Sequence, residues 1–268
     1  MTHATIYKGE NTSFIKSAQP QKPLAGQSRN ASSAAKQTVI FENPPRILAG
    51  GTVVTQREAD GPIGAYFDNI IEPKNDAKNF EAAEIRMLQA AVSSAAEKAG
   101  IRVGDIDLLL SGDLLNQLTS SAYAARDLGV PFMGLYSACA TMSQALAVGA
   151  CFLNAGYFKH LACATASHFA TAERQYRYPL EYGAQRPPYA QWTVTGAGCT
   201  ILARGEGALD EDNARSRAKN APRTALGNGA QSFPRITSAT FGRVVDFGID
   251  DIANMGAAMA PVNAIIAP

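Results

Sequence analysis

An excess of one charge is missing. Lys and Arg number 24 and Asp and Glu 23, a formal net charge of +1. That balance gives no electrostatic footprint for nucleic acid, whose phosphates call for clustered cations. Metal-ligating residues are scarce. The three histidines are His3, His160 and His168, and the four cysteines are Cys139, Cys151, Cys163 and Cys199. No two cysteines form a C-x-x-C pair, so the usual spacing of a structural zinc site is absent. Cysteines scattered in this way point to a reduced, cytoplasmic compartment. Long apolar runs are also missing. The longest, Ala145–Leu153, is far too short to span a bilayer. The first residues form no apolar h-region, so no secretory signal is expected. Thr195-Gly196-Ala197-Gly198 reads as a glycine-rich turn. It lacks the spacing and lysine of a phosphate-binding loop, which argues against a nucleotide.

The 268 residues are 46% hydrophobic and 18% charged, the profile of a folded α/β chain rather than a disordered one. A chain of this length buries a core without disulfides or metal. Residues 1–37 stand apart. They are polar, without hydrophobic period, and carry Lys8, Lys16, Lys22, Arg29 and Lys36 against Glu10. They read as a disordered, weakly basic tail.

Strands are expected at Thr38–Phe41 and Arg46–Val54, with Gly50-Gly51 marking a bend or a close backbone approach. Residues 80–99 form a helix on the recurrence of Ile85, Leu88, Val92, Ala95, Ala96 and Ala99. Asn79 is its cap and Gly100 its stop. Ile106–Ser111 is a near-continuous apolar run, the pattern of a strand buried on both faces of a parallel sheet. A helix over 118–128, a strand Pro131–Leu135, a helix over 140–155 and a strand His160–Thr165 follow. The helix over 140–155 is so rich in small and apolar residues that burial on most sides is expected. Thr193–Ala203 and Arg235–Asp246 read as further strands, and residues 205–233 as an exposed insertion. The βαβαβ alternation implies a mixed, mostly parallel sheet with crossover helices.

Candidate chemistry gathers after strands. In Leu135-Tyr136-Ser137-Ala138-Cys139-Ala140-Thr141 a strand ends, a short turn follows and a helix begins near a cysteine. A thiol at a helix N-terminus has its thiolate favoured and becomes a better nucleophile; free cysteines are otherwise small buried hydrophobes. His168 lies just past the next strand, at the edge where ligands collect in open α/β sheets. It is either the partner of a Cys–His pair or a satisfied structural histidine. Asp113 and Asn116, in Gly112-Asp113-Leu114-Leu115-Asn116-Gln117, either face the same crevice or turn the chain. Arg174 and Arg177 offer planar guanidinium groups and Tyr176 and Tyr178 aromatic faces, or they form an ordinary surface loop with charge pairs.

These strings together carry a resemblance. GDLLNQ (112–117), SACATM (137–142), ATASHFATAERQYRYPLEYGAQRP (164–187), TVTGAG (193–198), ITSATFGRVVDFGI (236–249) and NMGAAMAP (254–261) resemble the stage V sporulation protein AD family, in order, from about residue 37 onward. That family is similar to a thiolase-fold branch related to ketoacyl synthases. The resemblance implies the first α/β half of a thiolase-like fold. The family's second half is missing, so the chain reads as truncated. The implied role is in sporulation: binding dipicolinic acid and supporting its uptake into the developing spore with other stage V A proteins, peripheral to the spore inner membrane. No cofactor is implied. The ligand pocket is implied to hold Cys139 and His168. From the chemistry of a flat dianion, Asp113, Asn116 and Arg174 join the candidate ligand-binding set, with Arg177, Tyr176 and Tyr178 further candidates. Two alternatives stand beside this: a Cys-dependent acyltransferase acting on coenzyme A or carrier-protein thioesters, or an inactive fragment. The apolar helix over 140–155 also leads us to expect self-association.

Overall fold

The structure is a computed structural model; it describes residues 37–72, 77–176, 193–205 and 233–242, and for 173–176 the backbone. The expected tail over 1–37 and insertion over 205–233 therefore fall almost wholly outside the described residues. The elements run β1 (Thr38–Ile40), β2 (Arg46–Thr55), α1 (Gln56–Ala59), β3 (Asn69–Ile71), α2 (Phe80–Lys98), β4 (Leu108–Gly112), α3 (Thr119–Leu128), β5 (Phe132–Gly134), α4 (Thr141–Asn154), β6 (His160–Ser167), α5 (Phe169–Tyr176), β7 (Gly196–Ala203) and β8 (Ser238–Thr240).

Six strands form the main sheet in the order β3-β2-β7-β6-β4-β5. β4 is parallel to both β5 and β6, and β2 is parallel to β3. β7 runs antiparallel to both its neighbours and joins these two parallel blocks. β1 and β8 pair in a separate two-stranded ribbon.

Alternation along the strands divides the core in two. Leu109, Ala162, Ala164, Ala166, Ala197, Cys199 and Ile201 pack with α2 and α3. Leu110, Leu161, Cys163 and Leu202 pack with Ala145 and Leu153 of α4. Because both faces are covered, β4 and β6 carry apolar residues on both faces rather than in strict alternation with polar ones, as buried parallel strands do.

α2 begins where Asn79 Oδ1 accepts from the Ala82 N–H at 2.8 Å and ends at Gly100, whose φ of 71° is left-handed. It buries Ala83, Glu84, Met87, Leu88, Ala91, Val92, Ala95 and Ala96. Gly51 lets it lie on β2: a Cβ there would stand 2.5 Å from the Ala91 carbonyl and 2.6 Å from the Ala95 nitrogen. Of the two readings of Gly50-Gly51, close approach is the one observed.

α4 is fully buried at Thr141, Ala145, Gly149, Ala150 and Leu153 and half-buried at its other residues except the exposed Ser143. Its small residues serve close approach to the sheet. A Cβ on Gly149 would already meet Leu110 Cδ1 at 3.1 Å and Cys163 Sγ at 3.2 Å. Two expectations are corrected. Gly196–Gly198 is not a turn but the first part of β7, paired with β2 and β6 at once. A Cβ on Gly196 would sit 2.8 Å from the Val53 carbonyl, so glycine here serves strand packing. The strand expected over Arg235–Asp246 is limited, among the described residues, to an isolated bridge from Arg235 to Arg46 and to β8. Residues 243–246 lie outside the described residues.

Candidate functional site

Because β4, β5 and β6 are mutually parallel, the loops after them open at one edge of the sheet. Ligand sites in open α/β sheets favour this edge. The loop after β4 carries Asp113 and Asn116, the loop after β5 carries Cys139, and His168 follows β6.

The Cys139 turn is built tightly. The Leu135 N–H donates to the Ser111 carbonyl at 2.9 Å, extending the β4–β5 ladder. Gly112 makes room for it, since a Cβ there would lie 2.0 Å from the Leu135 carbonyl. The Thr141 hydroxyl donates to the Ala138 carbonyl at 2.9 Å and accepts from the Ser137 N–H at 3.1 Å. Ala138 adopts a φ of 45° in this turn. The result is an exposed Cys139 two residues before α4, a helix with no side-chain cap. The other cysteines are placed otherwise. Burial pushes the Cys163 thiol up to about 12 and the Cys199 thiol well above its ordinary value, and raises that of half-buried Cys151.

Asp113 is buried and spent on backbone. Its Oδ1 accepts from the Leu115 N–H at 2.8 Å and its Oδ2 from the Ser121 N–H at 2.6 Å, tying the loop to the first turn of α3. Asn116 is exposed in a short 3-10 turn. Gln117 and Leu118 follow with φ of 59° and 54°. With Ala138 they complete the set of left-handed non-glycine residues among those described, and all three lie in the loops after β4 and β5. Such conformations cost about 1–3 kcal/mol each and gather at functional sites.

His168 is fully buried. Its ring lies 4.8 Å from that of Phe80, at the start of α2, and 5.2 Å from that of Phe169. Its Nδ1 accepts from the Ala170 N–H at 3.2 Å. His168 thus packs toward α2, whereas Cys139 leads into α4 on the opposite face of the sheet. Among the described residues no hydrogen bond joins the two. Arg174 and Tyr176 fall in α5, their side chains outside the described part, and Arg177 and Tyr178 lie outside it altogether.

One residue of this edge is not found by motif. Glu84, on the apolar stripe of α2, is completely buried. Its Oε2 lies 2.9 Å from the Thr171 hydroxyl. Its Oε1 has no partner, nor has the hydroxyl of Ser120, which lies beside the carboxyl without completing a bond. Burial pushes the Glu84 carboxyl up to about 8; the nearby Asp113 and Glu81 push the same way, and Thr171 and Ser120 oppose. The available signal was its place one turn before Leu88, where a charge interrupts an apolar stripe.

Among the described residues no group of His, Cys, Asp and Glu is arranged to hold a metal ion. No helix among them is long and apolar enough to cross a membrane.

The fold and this edge define a mixed α/β protein with its candidate site at the carboxyl ends of β4, β5 and β6. Comparison with known proteins narrows the class. The family model for stage V sporulation protein AD (SpoVAD) matches residues 35–267, and the chain belongs to that family. A stage V sporulation protein AD from Bacillus subtilis (strain 168) is 40% identical over 230 residues, covering 85% of this chain and 61% of that protein. The chain thus spans about three fifths of that relative's length. Solved structures similar to this chain include the priming β-ketosynthase of the R1128 polyketide pathway, with a TM-score of 0.40, 20% identity, and 62% of this chain and 52% of that one covered. The 3-oxoacyl-[acyl-carrier-protein] synthase III of Aquifex aeolicus VF5 gives a TM-score of 0.42, 16% identity, and 61% and 55% coverage. The H285N variant of Xanthomonas campestris OleA gives 0.44, 14%, and 64% and 59%.

Proposed function

We propose that this sporulation-family protein is a non-catalytic binder of dipicolinic acid that supports its uptake into the developing spore, together with other stage V A proteins at the spore inner membrane. The observation that carries the reading is the head of α4. A helix of 14 residues starts with no side-chain cap, beside an exposed Cys139 at the sheet edge. The positive end of such a helix suits a carboxylate. A pyridine dicarboxylate supplies two carboxylates on a flat ring. Isothermal calorimetry with dipicolinate tests this directly. Cys139→Ala is expected to weaken binding, and loss of a hydrogen bond to a charged group costs about 1.5–3 kcal/mol, roughly ten- to a hundredfold in affinity. Heat-silent titration, or equal affinity in the variant, counts against the site.

The exposed thiol on a turn whose Ala138 is left-handed favours one second reading, acyl transfer from a coenzyme A thioester to Cys139. Incubation with acetyl-CoA followed by peptide mass spectrometry separates the two. An acetylated Cys139 supports the transferase, and an unmodified thiol supports the binder.

A further inference from the structure

Three segments converge on Glu84: its own helix α2, the loop after β4 and the head of α3 through Asp113 and Ser120, and the α5 turn through Thr171. The hydrogen bonds around Thr171 favour one state of the carboxyl, although the His168 carbonyl also accepts from the Ala172 N–H at 3.0 Å. The single Thr171 hydroxyl lies 2.9 Å from Glu84 Oε2 and 2.9 Å from the His168 carbonyl oxygen. A hydroxyl has one proton to give, and a carbonyl can only accept. Both contacts are satisfied only when Thr171 donates to the carbonyl and Glu84 Oε2 donates to Thr171. A carboxylate cannot donate. The relay Glu84–Thr171–His168 therefore closes in full when Glu84 carries a proton.

We propose that Glu84 is held as a neutral carboxylic acid and is a positioning residue, whose proton ties the α5 turn bearing His168 to α2. When it ionises, the charge is left in a place with no cation among the described residues to receive it, and the turn is released. The acidic and basic groups around it agree. Asp113, from the loop after β4, and Glu81, on α2, both oppose a charge on Glu84, as burial does. His168, on the α5 side, meets the relay through its carbonyl. β7 and the first seven residues of α3 (TSSAYAA) contain no acidic or basic residue, and those of β2 and β6 are Arg46 and His160 at the far ends of their strands. The upward displacement of the carboxyl's titration supports the geometry. The inference does not depend on which ligand the edge binds.

The test is amide hydrogen exchange of the full chain from pH 5 to 9, corrected for intrinsic base catalysis and read on peptides carrying residues 168–172. The closed turn holds a proton that the open turn gives up. Protection in the wild-type chain is therefore expected to fall as pH rises, by up to about tenfold per pH unit between the ordinary and the raised titration of the carboxyl. Glu84→Gln is always neutral and can donate to Thr171, so its protection is expected to stay flat. A flat wild-type profile, or a variant with the wild-type slope, overturns the proposal. Carbon NMR of glutamate side chains keeps the test decisive if the variant does not fold. One glutamate carboxyl titrating above pH 7 supports the proposal, and all of them titrating in the ordinary range refutes it.

Discussion

Cysteine labelling puts the assignment of the β5–α4 turn at risk in a single experiment. The perturbation is iodoacetamide on the folded chain at mild alkaline pH. The thiolate is the reacting species. An ordinary exposed thiol with a pKa of about 8.5 is roughly one quarter thiolate at pH 8. A thiol pushed up to about 12, as Cys163 is by burial, is thiolate about once in 10⁴ molecules. Ionisation alone thus separates them by about three orders of magnitude, before access is counted. Cys163 is also tethered, its Sγ donating to the Ala145 carbonyl at 3.3 Å, and Cys199 is buried on the other face of the sheet. Half-buried Cys151 should fall between. Timed quenching and peptide mass spectrometry are expected to show Cys139 alkylated first, Cys151 next, and Cys163 and Cys199 only through opening of the fold. In denaturant the four rates should converge. If Cys163 or Cys199 is alkylated as fast as Cys139 without denaturant, the packing of β6, β7 and α4 described above is wrong.

Other outcomes follow from single contacts. Gly51→Ala forces a methyl group into the Ala91 carbonyl and should cost about 1–3 kcal/mol in urea unfolding, whereas Gly104→Ala, with nothing within 4 Å of the added atom, should cost almost nothing. Burial opposes ionisation of Asp68, but its bonds from Lys98 and Thr52 win and hold the carboxyl below its ordinary range. The folded state therefore releases this proton more readily than the unfolded state, and the stabilisation is present at neutral pH and lost as pH falls through the Asp range. Asp68→Asn should cost at most about 1 kcal/mol at pH 7, since the pair is partly exposed, and nothing near pH 2. Beyond its buried stripe α4 leaves Met142, Leu146, Val148 and Phe152 only half-buried, and light scattering of the full chain is expected to show self-association; a monomer at high concentration counts against it.

The elements that were legible in the sequence are those with a strong period or a double-sided burial pattern. α2 has both a cap and a left-handed stop, and β4 is a near-continuous apolar run because helices cover both its faces. α1 and β3, of four and three residues, are too short to show a period. The direction of β7 was not legible either. Alternation reports which face a side chain occupies, not which way the strand runs, and a glycine needed for packing at 196 read as part of a turn. At the site, the strand-turn-helix around Cys139 could be placed by its small residues. The commitment of His168 to the α2 side could not, because it depends on Phe80, far away in sequence. Glu84 escaped notice for a similar reason: a glutamate in a helix is ordinarily solvated, and only the tertiary fold removes its water.

The position of β7 has a consequence for how the chain is made. It is the last strand of the six-stranded sheet to be synthesised, yet it lies between β2 and β6. Until residues 196–203 leave the ribosome, the nascent chain holds two unfinished parallel blocks, each with one long side of unpaired backbone groups. Exposed strand edges of that kind recruit other chains. Pairing Arg46 with Ala203 must also close nearly the whole intervening sequence into a loop, the sort of late, non-local step that slows folding. A chaperone acting on this protein would have its longest opportunity in the interval between β6 and β7, and a ribosome pause placed there would lengthen the most aggregation-prone moment of its synthesis.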